Sequence, residues 1–215
     1  MAKLICVMGE SGSGKTTSMR NLDPKTTFYI DCDKKGLSWK GWSKDYNAEN
    51  KNYVKTDFVQ VVQNTLNILN EREEYKHVKT VIVDTINGLM VADEMRRSKE
   101  KGYDKWVDLA SSVWDLISDS LEYRDDLTII FTAHTDTERD DSGLVFTRIK
   151  TNGKKLNKIV LESKFTTVLL SKVVDGQYLF ETQANNSTAK TPLGAFEEKE
   201  IPNDITAVLK ALKDY

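Results

Sequence analysis

Residues 9–16 read Gly9-Glu10-Ser11-Gly12-Ser13-Gly14-Lys15-Thr16. This is the complete G-x-x-x-x-G-K-[ST] pattern, in which a glycine-rich turn wraps its backbone around phosphate oxygens. The flanks say what carries it. Just upstream, Leu4-Ile5-Cys6-Val7-Met8 is a continuous apolar run, as expected of a strand covered on both faces. Downstream the pattern predicts a helix from Lys15 to Asn21. Strand, turn and helix in that order make an anion cradle, because backbone N–H groups and the helix N-terminus all point at the ligand. Lys15 is the side chain expected to reach the β- and γ-phosphates, and the Thr16 hydroxyl to ligate Mg²⁺. Gly9, Glu10, Ser11, Gly12, Ser13, Gly14 and Thr17 complete the phosphate-binding set.

Outward from this loop, strands and helices alternate. Thr27 to Ile30 and Tyr53 to Lys55 read as strands, and Phe58 to Glu74 as a helix with Phe58, Val61, Val62, Leu66 and Leu69 on one face. Thr80-Val81-Ile82-Val83 is a β-branched strand that ends on Asp84. Two helices follow, over 86–101 and 104–122, and then a core strand from Leu127 to Thr132. Leu144 to Ile149 alternates like a strand, and Lys154 to Glu162 reads as a short helix. Thr166 to Val174 and Gln177 to Thr182 flank an Asp175-Gly176 turn, and Asp204 to Lys213 reads as a terminal helix. The predicted fold is α/β: a single domain over 1–215, three layers, with a mainly parallel sheet. Asp84, at a strand end, is the expected second Mg²⁺-site residue, acting through water.

Composition limits the rest. The chain has 215 residues, 39% hydrophobic and 30% charged, with a formal net charge of −2. A near-neutral total does not attract polyanions as a whole, so any nucleic-acid contact has to be a local patch. Such a patch is present: residues 144–164 carry Arg148, Lys150, Lys154, Lys155, Lys158 and Lys164 against Glu162 alone, a local +5. Asp136, Glu138, Asp140 and Asp141 just upstream would oppose it. Cys6 and Cys32 sit in apolar runs and read as buried thiols. No run approaches the roughly 20 apolar residues of a membrane span, and no signal peptide is recognisable, so a cytoplasmic protein is expected. Trp39 and Trp42, around Gly41, fit the edge of a core better than a base-stacking platform.

The order of motifs resembles the RecA-like P-loop ATPase core: the glycine-rich loop, Tyr29-Ile30-Asp31-Cys32-Asp33, Val81-Ile82-Val83-Asp84-Thr85, then Ile129-Ile130-Phe131-Thr132-Ala133-His134. More closely, the chain resembles short phage nucleotide-binding proteins, including RecA-like single-strand annealing proteins of the Sak type. The resemblance implies an ATPase using ATP and Mg²⁺ and acting on single-stranded DNA in recombination or annealing. A single-strand-binding protein is a further partner it implies, as is a homo-oligomer assembled through the ATPase core. It puts the water-activating acid on Asp33, with Asp31 as the other candidate, and a γ-phosphate-sensing residue on His134. It makes 144–164 the DNA-contacting region. It makes Lys190 a basic residue that could complete a neighbour's site. Two other readings stay open: a small-molecule P-loop kinase, with Arg96, Arg97 or Arg139 over the phosphates, and a loader or scaffold that binds ATP and turns it over poorly.

Overall fold

The apolar run before the glycine-rich loop becomes β1 (Lys3–Met8), and its five residues from Leu4 to Met8 are all buried. Successive side chains of a strand point to opposite faces. Cys6 and Met8 therefore enter one core while Ile5 and Val7 enter the other. That demands layers above and below, and the computed structural model supplies them. It describes residues 1–100, 104–139, 143–151 and 160–215.

The strands after β1 are β2 (Thr27–Asp31), β3 (Tyr53–Lys55), β4 (Thr80–Asp84), β5 (Thr128–Ala133), β6 (Thr135–Arg139), β7 (Val145–Ile149), β8 (Thr167–Val174), β9 (Gln177–Glu181) and β10 (Glu200–Pro202). The helices are α1 (Trp42–Asp45), α2 (Val59–Glu71), α3 (Ile86–Arg96), α4 (Asp104–Leu121) and α5 (Ile205–Ala211). One eight-stranded sheet runs β10-β9-β8-β1-β5-β4-β2-β3, and β6 and β7 form a separate two-stranded ribbon. From β8 to β3 every pairing is parallel, and β9 and β10 add antiparallel strands at one edge. The mainly parallel α/β sheet expected from the sequence is what forms. The strand bearing Asp84 lies one strand away from β1, with β5 between them.

One face is covered by α2, α3 and α4. Val62, Leu66 and Leu69 of α2, Leu89 of α3, and Val113 and Ile117 of α4 meet Cys6, Ile30, Val83, Ile129 and Phe131. On the other face Met19, Leu22 and the Ile205 and Val208 side chains of α5 pack on Ile5, Val7, Ile82, Ile130 and Leu169. Full burial of such a side chain contributes about 1.5–3 kcal/mol each, so both layers are needed. Trp39 and Trp42 pack on this second core, within an aromatic group that includes Tyr29, Tyr46 and Tyr53. The core-edge reading of the two tryptophans holds.

Several segments depart from expectation. The helix predicted over 15–21 is only a 3₁₀ turn at Thr17–Met19. Here Ser18 Oγ donates to the Lys15 carbonyl at 2.6 Å. Hydroxyl side chains of this kind offer the backbone a competing partner, and Thr16-Thr17-Ser18 supplies three in a row. The ribbon strand β6 was not anticipated, because Thr-Asp-Thr-Glu-Arg has no apolar alternation of its own. Nor was β10, a three-residue edge strand. The short helix expected from Lys154 falls largely outside the described residues, which resume in a 3₁₀ turn at Leu161–Lys164.

Candidate nucleotide site

The glycine-rich loop leaves the end of β1 and closes on itself through Ser13 N–H donating to the Glu10 carbonyl at 3.1 Å. Gly12 and Gly14 have φ of +81° and +97°, which other residues adopt only under strain. Gly9 is required for space, since a side chain there would collide with the Ser171 carbonyl and Ser13 Oγ. Glu10, Ser11 and Gly12 lie exposed on the rim, and Ser13, Gly14 and Lys15 lie buried.

Lys15 is the centre of this arrangement. Its ammonium is held inside the loop by the carbonyls of Gly9 at 2.7 Å and Glu10 at 2.8 Å, and the residue is only 6% exposed. Burial pushes its pKa down to about 8, with the nearby Asp84 carboxylate opposing the shift. Two neutral carbonyls are weak company for a buried cation, so a polyphosphate would be a much better partner. Ser13 Oγ, also buried, has no hydrogen-bond partner among the described residues.

Asp84, at the end of β4, is reached from three neighbouring segments at once. Its Oδ2 accepts from Thr16 Oγ1 at 2.8 Å and from the Tyr29 hydroxyl at 2.6 Å, and its Oδ1 accepts from Thr132 Oγ1. Thr16 follows β1, Tyr29 is on β2 and Thr132 is on β5. Sheet register does this: Ile82 of β4 faces Tyr29 on one side and Ile130 of β5 on the other. The peptide bond after Asp84 is cis. A carboxylate with three hydroxyls around it is an all-oxygen donor set, and Mg²⁺ is held by one or two carboxylates together with phosphates and waters. The residues therefore fit Mg²⁺, with Thr16 and Asp84 as the groups that would hold it. Among the described residues no cluster of three His, Cys, Asp or Glu side chains competes for a cation.

In sequence Tyr29 is one residue of the strand expected over Thr27 to Ile30. It is fully buried, and the same carboxylate raises its pKa further after burial itself. Its hydroxyl fixes the rotamer of Asp84. Tyr29→Phe should leave nucleotide affinity within a few-fold but raise the Mg²⁺ concentration for half-maximal turnover about 10-fold or more, as second-shell losses at metal sites do. A Mg²⁺ titration of turnover at saturating ATP checks this, and an unchanged midpoint would remove the positioning role.

Asp33 and Asp31 separate clearly. Asp31 is 2% exposed, and its Oδ2 accepts from Gly36 N–H at 2.8 Å and the Tyr53 hydroxyl at 2.7 Å. It organises the loop after β2. Asp33 instead lines a cleft of about 310 Å³ with Asn87, Gly88 and His134. Its Oδ1 accepts from Thr85 Oγ1 at 3.2 Å and its Oδ2 pairs with Lys35 at 2.6 Å. Gly88, in the first turn of α3, is what lets that carboxylate come so near, because a Cβ there would strike Asp33 Oδ1. His134 follows β5 on the same cleft. Burial and then the Lys15 charge hold its imidazole below the usual histidine range. It is neutral at neutral pH and keeps one N–H to donate.

Asn87 ties this cleft to the ribbon. Its Oδ1 accepts from the His134 N–H at 2.7 Å, and its Nδ2 donates to the Lys150 carbonyl at 2.9 Å. Glu10 Oε1 accepts from Thr135 Oγ1 at 2.8 Å, a second tie between loop and ribbon. Neither was foreseen, nor were Thr85, Gly88 and Thr132.

A family model described as an AAA domain matches residues 1–193. The chain belongs to this AAA domain family. Membership agrees with the geometry: this is a P-loop AAA-type domain, of a class whose general chemistry is nucleotide binding and ATP hydrolysis. No curated protein matches the chain. Among the described residues no helix of this AAA domain is long and apolar enough to cross a membrane.

The remaining expected residues lie apart from Lys15. Thr17 Oγ1 is 2.9 Å from Ser38 Oγ, at the mouth of the loop. Arg148 is only 8% exposed and pairs with Glu138 at 3.4 Å, so its charge faces the ribbon rather than solvent. That corrects its expected role in contacting DNA phosphates. Lys150 is exposed, and Lys164 lies over the Trp114 ring at 4.0 Å. Lys154, Lys155 and Lys158 fall outside the described residues. Lys190 is exposed, and its backbone pairs with Val168 of β8. Within one copy it is on the side of β1 away from Asp84.

Proposed function

We propose that this AAA domain hydrolyses Mg·ATP and uses the cycle to act on single-stranded DNA. One observation supports the hydrolytic half most directly. Lys15, Thr16 and Asp84 converge at the end of β1, while Asp33 and His134 share the cleft beside them. Lys15 would bind the β- and γ-phosphate oxygens, and Thr16 and Asp84 would hold Mg²⁺, which offsets phosphate charge when bound. Asp33 is the group placed to take the proton from an attacking water. The neutral His134 donates to the γ-phosphate and loses that partner after hydrolysis.

Support for the DNA half is the charge of residues 144–164, which stays at +4 (five lysines against Glu162) once the buried, paired Arg148 is set aside, together with the place of the ribbon. β6 starts immediately after His134, and β7 ends just before Lys150, whose carbonyl Asn87 holds. A change at the γ-phosphate therefore has a short path to the basic segment. The kinase reading is less well supported. Arg96 is engaged by Asp57 and lies over the Phe58 ring, and Arg97 pairs with Glu100 and Asp108, so neither is posed over the loop. The loader or scaffold reading differs in turnover alone.

Fluorescence anisotropy with a labelled oligonucleotide across a salt series tests the DNA half. Binding should be tighter with a non-hydrolysable ATP analogue. Its logarithmic salt slope should be near −0.7 for each phosphate neutralised. Lys154→Ala/Lys155→Ala/Lys158→Ala should lower both affinity and slope. Equal binding by both proteins at every salt concentration removes the basic segment from the site, and no binding even at low salt removes DNA from the function.

A further inference from the structure

On the far side of β1 from Asp84, the edge of a tyrosine ring lies over the glycine-rich loop. A Cβ added to Gly14 would sit 2.8 Å from Tyr178 Cδ1. Tyr178 is on β9, and it is 52% exposed even though it touches the loop. We infer that Tyr178 is the stacking surface for the nucleobase of the bound nucleotide. This rests on the nucleotide site proposed above.

Direction comes first. Asp84 ends β4, and Asp33 and His134 follow β2 and β5, all on one side of β1 in the sheet. They mark the end where the terminal phosphate and Mg²⁺ belong. A triphosphate threaded through the loop in that sense carries its nucleoside away across β1, toward β8 and β9. The exposed ring next to Gly14 stands on that exit.

Rigidity comes second. Ser171 of β8 donates its Oγ to the Ser13 carbonyl at 2.7 Å, and its own carbonyl fills the space that Gly9 leaves. Asn203 Nδ2 donates to Ser171 Oγ at 3.0 Å, and Asn203 N–H donates to the Tyr178 carbonyl at 3.1 Å. Arg20, just past the loop, donates to the Asn203 carbonyl at 2.9 Å. The strand carrying Tyr178 is thus fastened to the loop from both sides. A strand fixed in this way needs no backbone reordering when a ligand stacks on its ring, so that cost is not taken from the affinity.

The test compares a non-hydrolysable ATP analogue with inorganic tripolyphosphate, each with Mg²⁺, by titration calorimetry. Wild type should bind the analogue about 5- to 100-fold more tightly than tripolyphosphate, the range that stacking on one aromatic ring provides. Tyr178→Ala should lose that advantage while holding tripolyphosphate within about twofold of wild type, and Tyr178→Phe should keep it, since the ring face is unchanged. Retained tripolyphosphate binding also shows that the alanine variant is folded. Three results overturn the inference: equal wild-type affinity for both ligands, an alanine variant that binds the analogue normally, or one that loses both ligands in parallel. In the last case the ring merely shapes the loop. If wild type binds neither ligand, the nucleotide site itself is wrong and the inference falls with it.

Discussion

Lys15→Ala is expected to abolish measurable Mg·ATP binding and turnover while leaving the protein folded. Two charge-assisted hydrogen bonds, at about 1.5–3 kcal/mol each, convert to a loss of about 10²-fold or more. Stability should scarcely suffer, because among the described residues the buried wild-type ammonium bonds to the Gly9 and Glu10 carbonyls alone. The same group sets a pH dependence. Its pKa in the free site is about 8, below the ordinary lysine value of 10.5. A bound polyphosphate favours the charged form and raises it again. Below pH 8 the lysine is charged in both states, so affinity is flat. Above pH 8 binding must take up a proton, and the dissociation constant should rise about tenfold per pH unit until the bound-state pKa is reached. Folding linkage has its own sign. Between 8 and 10.5 the unfolded chain holds the proton and the folded one does not, so stability should rise with pH in that window. Nucleotide titrations of folded variant and wild type from pH 7 to 9 check the binding statements, and denaturant unfolding of the wild type from about pH 8 to 10.5 checks the stability one. Unchanged affinity together with unchanged turnover in Lys15→Ala would sink the site.

The loop and Asp84 could be read from the chain because their signals are local. Eight consecutive positions define the loop, and Asp84 closes a β-branched run. The rest of the site is made by register. Tyr29 looks like any aromatic strand residue until β2 pairs with β4 and places its hydroxyl on Asp84. Thr132 is equally ordinary until β5 lies beside β4. Gly88 and Asn87 read as two residues of a helix start, and their use depends on what β2 and β5 bring to them. Arg148 shows the same limit in reverse. In sequence it joins a basic segment, whereas pairing of β6 with β7 sets it near Glu138 and buries it. The shortfall at 15–21 has another origin: period and flanks favour a helix, but hydroxyl side chains close to the loop carry the chain into a tighter turn. Long-range pairing and side-chain competition of this sort leave little trace in local pattern.

Asp33→Asn should retain ATP binding within a few-fold and lower kcat by about 10²- to 10⁴-fold, the usual contribution of a positioned general base. The amide is nearly isosteric, so the Thr85 contact and the space beside Gly88 can be kept while proton acceptance is lost. Asp31→Asn makes the contrast. Its carboxylate is committed to Gly36 N–H and the Tyr53 hydroxyl. Weakening that buried pair should cost about 1–3 kcal/mol of stability, with kcat per folded molecule little changed. Lys35 complicates Asp33, because their ion pair at 2.6 Å ties up the oxygen not used by Thr85. A water able to lose its proton to Asp33 must displace that ammonium, and bound phosphates, which attract Lys35 in turn, provide the reason for it to move. Lys35→Ala should then leave kcat within about threefold, since the pair is partly exposed and such pairs contribute little on their own. Single-turnover hydrolysis with pre-bound nucleotide separates chemistry from binding in all three variants. Normal hydrolysis by Asp33→Asn alongside a collapsed rate in Asp31→Asn would exchange the two assignments. Normal hydrolysis in both would place the base elsewhere in the cleft.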